Sequence, residues 1–346
     1  MDRRPTITDV ARHAGVSKGL VSLALNDRPG VNADTRARIR SAADDIGWRP
    51  NAAARSLTSR RTSALGLVVT RDPSIIETDP FFAAFIAGLE TVLSARGQVL
   101  VLSVVPDAAA EERAYRTLAG DGRVDGFIIT DLRRADPRVG LVAELGSVAV
   151  TLGEPDCPSA FPAVRRDYEN GIDELVRYLA DLGHTRVAHV AGNVDMLHGH
   201  ARREQFERTA ESLGLSTIVM PTDFSPEAGA AATEALLARD PVERPTAIVF
   251  GNDPMAIAGM AVAQRLGFRV PDDVSVTGLD GSQIGRHVYP ALTTLDNDPA
   301  EWGRVVAATL LDLVDGGDPA VPVDRTLTPA RLIVRGSTGA PLRNPA

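Results

Sequence analysis

Two hydrophobic rhythms divide the chain. Up to Gly47 the apolar residues recur at helical spacing: Ile7, Val10, Ala11 and Ala14, then Leu20, Val21 and Ala24, then Ile39, Ala42, Ala43 and Ile46. The punctuation agrees. Thr6 or Thr8 can cap a first helix with Asp9 in its first turn, where the helix dipole favours a carboxylate, and Gly15 ends it. Ser17 opens a second helix running to about Leu25, Asn32 caps a third from Asp34 to Ile46, and Gly47 stops it. Three short helices around one apolar cluster are predicted, with Lys18, Gly19, Ser22 and Leu23 on the outer face of the second. Two short helices broken at Gly15 have the layout of a helix-turn-helix.

From Ala64 the rhythm changes. Short continuous apolar runs at 64–69, 99–105, 126–129 and 148–150 alternate with helical patterns at about 82–96, 109–120 and 138–145. A second series follows, with strands at 187–191, 247–250 and 274–278 among helices near 170–182, 201–214, 227–239 and 253–266. Uninterrupted apolar strands separated by helices signal a parallel sheet covered on both faces. The whole therefore reads as an all-α helix-turn-helix headpiece followed by an α/β region of two doubly wound parallel-sheet lobes, resembling the core of periplasmic binding proteins. In such sheets the ligand crevice lies beyond the strands' carboxyl ends.

Charge separates the same two regions. Residues 1–61 carry twelve basic side chains against six acidic, net +6, whereas the remainder carries 25 against 39, net −14. A polyanion is thus met by the first sixth of the chain alone. With 4% aromatic residues the chain lacks a stacking platform for single strands, which favours duplex DNA. At 346 residues the length suits two or three units at roughly 100–200 residues each. No apolar run approaches the ~20 residues that span a bilayer, and Met1–Pro5 lacks a signal segment. The single Cys157 forms no internal disulfide, which fits a reducing compartment. A cytoplasmic, nucleoid-associated protein is expected.

The motifs Thr6-Ile-Thr-Asp-Val-Ala, Ala14-Gly-Val-Ser, Val21-Ser-x-Ala-Leu-Asn, Thr35-Arg-x-Arg-Ile and Pro50-Asn-x-x-Ala-Arg-x-Leu57 stand in order along the N-terminal segment. With them the chain resembles the LacI/GalR (lactose-repressor) family of bacterial transcription regulators. The likeness continues to about Thr338 through Asp79-Pro-Phe-Phe82, Arg123-Val-Asp-Gly126, Leu182-Gly-His-Thr-Arg-Val-Ala, Asn252-Asp-x-Met-Ala and Val270-Pro-Asp-Asp-Val-Ser-Val-Thr-Gly-Leu-Asp280. It implies a DNA-binding domain at 1–47, a hinge helix and linker at 48–63, an effector-binding and dimerisation domain at 64–338, and a tail at 339–346. The N-lobe is expected at about 64–161 and 292–322, the C-lobe at about 162–291 and 323–338.

The resemblance places Lys18, Gly19, Ser22 and Leu23 at base edges, and Thr6, Ser17, Arg28, Arg36, Arg49 and Asn51 at the DNA backbone. Ala54, Arg55 and Leu57 belong to a hinge that enters the minor groove, with Leu57 wedging between base steps. Lys18, the only lysine in the chain, can donate to guanine, whereas Gly19 and Leu23 offer little hydrogen bonding. A homodimer on a pseudo-palindromic operator is implied.

Effector-cleft candidates come from strand and helix ends: Phe81, Phe82, Asn170, His198, Arg202, Phe224, Asp253 and Asp280. Arg202 and Asp280 can clamp hydroxyls while the aromatic faces pack a sugar or nucleoside-like surface. Gln205 and the Arg165-Arg166 pair depart from the family pattern and are expected near the cleft. His184, after Gly183, reads as a cap or surface group, and His198-Gly-His200 is too isolated for a metal site. No metal and no cofactor is expected.

Catalysis is disfavoured, because Gly-x-Ser-x-Gly, a Walker loop and Gly-x-Gly-x-x-Gly after a strand are all lacking. A solute-binding protein shares the two lobes but has no use for a cationic headpiece, and an effector-independent DNA-binding protein is the other alternative. The reading is a sequence-specific DNA-binding regulator, a repressor, whose operator affinity responds to a small molecule bound between two lobes.

Overall fold

The computed structural model describes residues 5–25, 28–49, 61–73, 77, 79–167, 169–317 and 325–342. The chain divides into two compact units, Met1–Thr62 and Ser63–Ala346.

The first unit holds α1 (Ile7–Ala14), α2 (Lys18–Leu25) and α3 (Ala33–Asp45). The Asp9 carboxylate accepts both the Thr6 N–H at 2.9 Å and the Thr6 hydroxyl at 2.7 Å. Gly15 at φ 65° closes α1, Ser17 Oγ accepts the Leu20 N–H, and Asn32 accepts the Thr35 N–H at 2.8 Å. These local bonds satisfy orphan helix-terminal donors, so each helix starts where its cap sits. Val10, Val21, Ala24 and Ile39 fill the centre. Ile46 stands at the C-cap of α3, outside the helix, yet still packs on that centre.

The second unit contains two six-stranded sheets. The first comprises β1 (Ala64–Thr70), β2 (Val99–Val105), β3 (Gly126–Ile129), β4 (Ala149–Leu152), β5 (Ala163–Arg165) and β11 (Arg325–Thr326), in the order β11-β5-β4-β3-β1-β2, all parallel. Its helices are α4 (Pro80–Ala95), α5 (Ala108–Gly120), α6 (Pro137–Glu144) and α11 (Pro299–Val314). The second sheet comprises β6 (Arg186–Ala191), β7 (Ser216–Pro221), β8 (Ala247–Phe250), β9 (Ser275–Gly278), β10 (Thr293–Asp296) and β12 (Arg331–Ile333), in the order β12-β10-β9-β8-β6-β7. Only β12 there runs antiparallel to its neighbour. Helices α7 (Glu169–Asp181), α8 (Leu197–Ser212), α9 (Pro226–Leu237) and α10 (Asp253–Arg265) cover it.

Helix α11 lies on α4 at backbone contact. A Cβ on Gly88 would stand 2.2 Å from the Ala300 carbonyl oxygen, and one on Gly303 2.2 Å from that of Phe85. Only glycine permits that approach, which lets Trp302, Val306 and Leu310 interlock with Phe85 and Leu89 in the first lobe's core.

The lobes divide differently from the boundaries read in the sequence. β5 pairs with β4, so the N-lobe extends past 161 through Arg165. β10 pairs with β9 and so belongs to the C-lobe, whereas β11 returns to the N-lobe beside β5. Strand pairing is a long-range choice that the apolar content of a short run does not encode. The chain therefore crosses between lobes three times: between β5 and α7, β10 and α11, and β11 and β12.

His184 is not a surface group. Gly183, at φ 98°, turns the chain inward after α7, leaving the imidazole 1% exposed. Its Nδ1 lies 2.9 Å from Thr246 Oγ1, and its Nε2 lies 3.0 Å from the Gly339 carbonyl. It ties the segment after β12 to the C-lobe sheet.

Candidate functional site

β1 lies between β2 and β3, and β6 between β7 and β8, so the connections reverse direction there and a crevice opens at the strands' carboxyl ends. Both crevices open onto one cavity of about 90 Å³. The N-lobe lines it with Arg71 after β1, Asp79 and Phe81 at the start of α4, Thr130 and Asp131 after β3, Leu152 and Gly153 at the end of β4, and Trp302 from α11. The C-lobe supplies His198 and Arg202 from α8, Phe224, Gly251 and Asn252 after β8, and Asp280 after β9.

Arg71 dominates the N-lobe side. Its Nε and Nη2 donate to the two Asp131 carboxylate oxygens at 2.7 and 2.9 Å, and its Nη1 donates to Asp79 at 3.2 Å. The guanidinium lies 5.2 Å from the Phe82 ring centroid and 5.5 Å from that of Phe224. Burial pushes the Asp131 carboxyl up, but the charge and hydrogen bonds of Arg71, together with the Arg138 charge behind it, outweigh burial and hold Asp131 below the usual carboxylate range. Asp131 sits at φ 51°, a conformation few side chains tolerate but Asp and Asn adopt readily.

The loop carrying Thr130 and Asp131 is fixed from behind by Arg138. That side chain is 4% exposed and donates to Asp136, to Glu111 at 3.2 Å, and to the carbonyls of Thr130 and Asp131 at 2.8 and 2.9 Å.

On the C-lobe side Asp253, at the start of α10, is wholly buried and does not line the cavity. Its carboxylate accepts the Thr294 hydroxyl at 2.6 Å and the Ser282 N–H at 2.7 Å, while its own N–H donates to Asp280 Oδ2 at 2.9 Å. It orients the Asp280 loop. Burial, then the nearby Asp253 and Asp79 charges, raise the Asp280 carboxyl well above its ordinary value, so it tends to keep its proton and can donate to a ligand. His198 stacks on Phe224 with centroids 5.6 Å apart. Burial, then Arg202, push its imidazole down to about 3, so it is neutral at physiological pH. Phe224 has φ 74°, and its carbonyl accepts from Asn252 Nδ2 at 2.9 Å. Its ring lies over Gly192, where a Cβ would stand 1.8 Å away. An aromatic held in a strained conformation against a glycine marks a shaped wall.

Of the eight cleft candidates, Phe81, His198, Arg202, Phe224 and Asp280 line the cavity, while Phe82 and Asp253 stand one layer behind. Asn170 is exposed at the start of α7 and bonds Asp167, away from the cavity. Gln205 lies on α8 bonded to Thr209 and Arg208, outside the lining. Arg165 pairs with Glu154 at the surface, while Arg166 donates to Glu301 at 2.8 Å and lies 5.6 Å from the Trp302 ring, supporting that wall from outside. Sequence reasoning missed Arg71, Asp79, Thr130, Asp131 and Trp302. A Thr-Arg pair closing the first apolar run was the available signal for Arg71.

In the headpiece, Lys18 and Gly19 are exposed on α2, with Ser22 and Leu23 half-buried on the same helix. Arg28 and Arg49 are exposed, and Arg36 donates to the Arg28 carbonyl at 3.0 Å. Ser17 and Thr6 spend their oxygens on helix starts. Asn51, Ala54, Arg55 and Leu57 lie outside the described residues.

A helix-turn-helix joined in one chain to a two-lobed domain with a polar, aromatic-walled cavity defines an effector-responsive DNA-binding regulator. Residues 6–51 match the pattern of bacterial regulatory proteins of the lacI family, and residues 176–338 match the periplasmic binding protein-like domain. The chain is 34% identical over 340 residues to the HTH-type transcriptional regulator CelR of Thermobifida fusca, spanning 97% of this chain and 98% of that protein. It is 29% identical over 320 residues to the HTH-type transcriptional repressor PurR of Serratia proteamaculans (strain 568), spanning 89% and 90%. Among solved structures, a CelR–cellobiose complex matches with a TM-score of 0.73 at 32% identity over 96% of this chain and all of that one. The lac repressor dimer bound to operator and the anti-inducer ONPF matches at 0.85, with 26% identity over 98% and 100%. The chain belongs to the lacI family of bacterial regulatory proteins. It is a DNA-binding transcriptional repressor modulated by a small-molecule effector, and not an enzyme. No helix among the described residues is long and apolar enough to cross a membrane.

Proposed function

We propose that the effector is a sugar, and that the protein acts as a homodimer on a pseudo-palindromic operator. The observation that carries the sugar reading is the pairing of flat aromatic walls, Phe81, Phe224, His198 and Trp302, with the hydroxyl-binding groups Asp280, Arg202 and Asp131 around one cavity. Sugar C–H faces pack on such walls while the hydroxyls bridge the carboxylates. At roughly 30 Å³ of liquid volume per water, the cavity has room for about three waters, which the hydroxyls of a pyranose ring can replace. The buried Thr130 hydroxyl lines this space without a hydrogen-bond partner among the described residues, as expected where a ligand group completes the set. The similarity to a cellobiose-bound regulator supports the same reading.

The dimer reading rests on the edge strand β2, whose Val99, Leu102 and Val104 are 56%, 42% and 39% exposed, and on Tyr289 at 91%. An apolar sheet edge is a surface that proteins cover. In each half-site Lys18, Gly19, Ser22 and Leu23 meet base edges, Thr6, Ser17, Arg28, Arg36, Arg49 and Asn51 meet the backbone, and Ala54, Arg55 and Leu57 enter the minor groove.

The test is a thermal-shift panel of cellobiose, glucose and other neutral sugars beside purine nucleosides, followed by operator binding with and without the hit. A sugar should stabilise the protein and change its operator affinity. Stabilisation by a nucleoside alone would end the sugar reading.

A further inference from the structure

The cavity holds an arginine that is already spent. Arg71 is 8% exposed, and four of its five N–H groups point at protein atoms: two at Asp131, one at Asp79 and one at Met196 Sδ, 3.8 Å away. Two aromatic rings, those of Phe82 and Phe224, also crowd the guanidinium, with centroids 5.2 and 5.5 Å from its carbon. An anionic ligand therefore cannot dock on Arg71 without breaking a bidentate, buried ion pair, and breaking such a pair by removing one side is strongly unfavourable. The charge balance points the same way. Two guanidinium groups, Arg71 and Arg202, face three carboxyl groups, Asp79, Asp131 and Asp280, with the imidazole of His198 neutral. Even with Asp280 protonated, Asp79 and Asp131 match the two guanidinium charges, so the lining offers an entering phosphate or carboxylate no net positive charge.

We infer that Asp131, assisted by Asp79, is a specificity-determining residue that cancels Arg71 and restricts the cleft to uncharged effectors. This rests on the sugar reading for the ligand's scaffold, but the charge argument stands on the cavity itself. It divides the candidates: free neutral saccharides are accepted, whereas sugar phosphates and sugar acids are rejected. Asp131 thus sets the class of molecule the regulator can sense without itself supplying net binding energy to an anion.

Asp131→Asn is the direct test. Asparagine is isosteric and tolerates the positive φ at this position, and Arg71 keeps Asp79 as a partner. The change raises the cavity charge by one and releases a two-pronged guanidinium edge suited to phosphate. Titration calorimetry would use full-length protein with glucose, cellobiose, glucose 6-phosphate, glucuronate and inorganic phosphate. Wild type should bind none of the three anions measurably. Asp131→Asn should bind at least one of them tenfold or more tightly, and the Arg71→Gln/Asp131→Asn double variant should lose that gain. If Asp131→Asn does not fold, Asp79→Asn makes the same charge change and keeps the cap of α4, since asparagine caps helices as well as aspartate. The inference is overturned if wild type binds glucose 6-phosphate or phosphate as tightly as the variant does, or if a folded variant gains no anion affinity. Failure of glucose and cellobiose on wild type removes the sugar reading alone, because the phosphate response is read independently.

Discussion

Replacing Arg138 with methionine should reveal how strongly the cleft depends on charges behind it. The guanidinium is 4% exposed and serves two carboxylates, Asp136 and Glu111, whose side chains are 0% and 3% exposed, besides two backbone carbonyls. Methionine keeps the length and an apolar stem but removes every donor. Stranding one partner of a buried pair costs about 3–5 kcal/mol, and because Arg133 still pairs with Glu111 and stands 3.9 Å from Asp136 the loss should fall at the lower end. At roughly 2–4 °C per kcal/mol for a domain of this size, the melting temperature should fall by about 10 °C. The pH dependence carries a sign. Burial pushes the Asp136 carboxyl up, but its hydrogen bonds and charge pairing with Arg138 outweigh that and hold it below the usual carboxylate range. In wild type its contribution is therefore full above pH ~3.9 and is lost as the solution becomes more acid. In the variant the stranded carboxylate can take up a proton, so the gap between the two proteins should narrow from pH 7 toward pH 4. Circular-dichroism melts across that range read the gap directly. A gap below about 1 kcal/mol, or one constant with pH, would show that the cluster is not held by Arg138 as described. Because Arg138 also fixes the carbonyls of Thr130 and Asp131, effector affinity should weaken in the same variant.

Gly192→Ala should drive the Phe224 ring off the cavity wall, costing about 1–3 kcal/mol in stability and blunting the response to effector; an unchanged melt and an unchanged response would mean that the ring yields freely. Lys18→Ala should relax preference at one base position per half-site by roughly 1–3 kcal/mol in a randomised-operator selection, whereas uniform weakening would assign Lys18 to a phosphate. A fragment of residues 63–346 should keep its ligand-dependent thermal shift yet not bind operator, while full-length binding falls steeply with salt; operator binding by the fragment would remove the headpiece from recognition. Burial pushes the His189 imidazole down to about 4, so the folded state should lose stability as pH falls from about 6.5 toward 4, and His189→Gln should flatten that decline.

The headpiece was readable because its information is local. Thr6 with Asp9, Ser17, Asn32 and the glycines at 15 and 47 each act within a few residues, and every one marks a helix end in the structure. The alternation of strands and helices was readable for the same reason. What escaped was pairing at a distance. Helix α11 carries start signals in Asp298, Pro299 and Glu301, but it is apolar enough to be buried on several sides, and its lobe is decided by contact with α4 more than 200 residues earlier. The strands β5, β11 and β12 are two or three residues long, too short for a period to show. Arg71 looked like an ordinary loop charge; its burial follows from Asp131, sixty residues on, which the sequence does not connect to it.

The threefold crossing between lobes also sets a timetable for synthesis. β11 joins the first sheet beside β5 across about 160 residues, and α11 reaches α4 only after nearly all of the second lobe has been made. At roughly 5–20 residues per second, a ribosome takes on the order of ten to thirty seconds to travel from β5 to β11. For most of that interval the apolar face of α4, including Phe85 and Leu89, lacks its α11 partner, while the headpiece, built from neighbours in sequence, can already be folded. The nascent regulator can thus present a DNA-binding head before it owns a finished sensor, and chaperone demand should concentrate on the half-built first lobe.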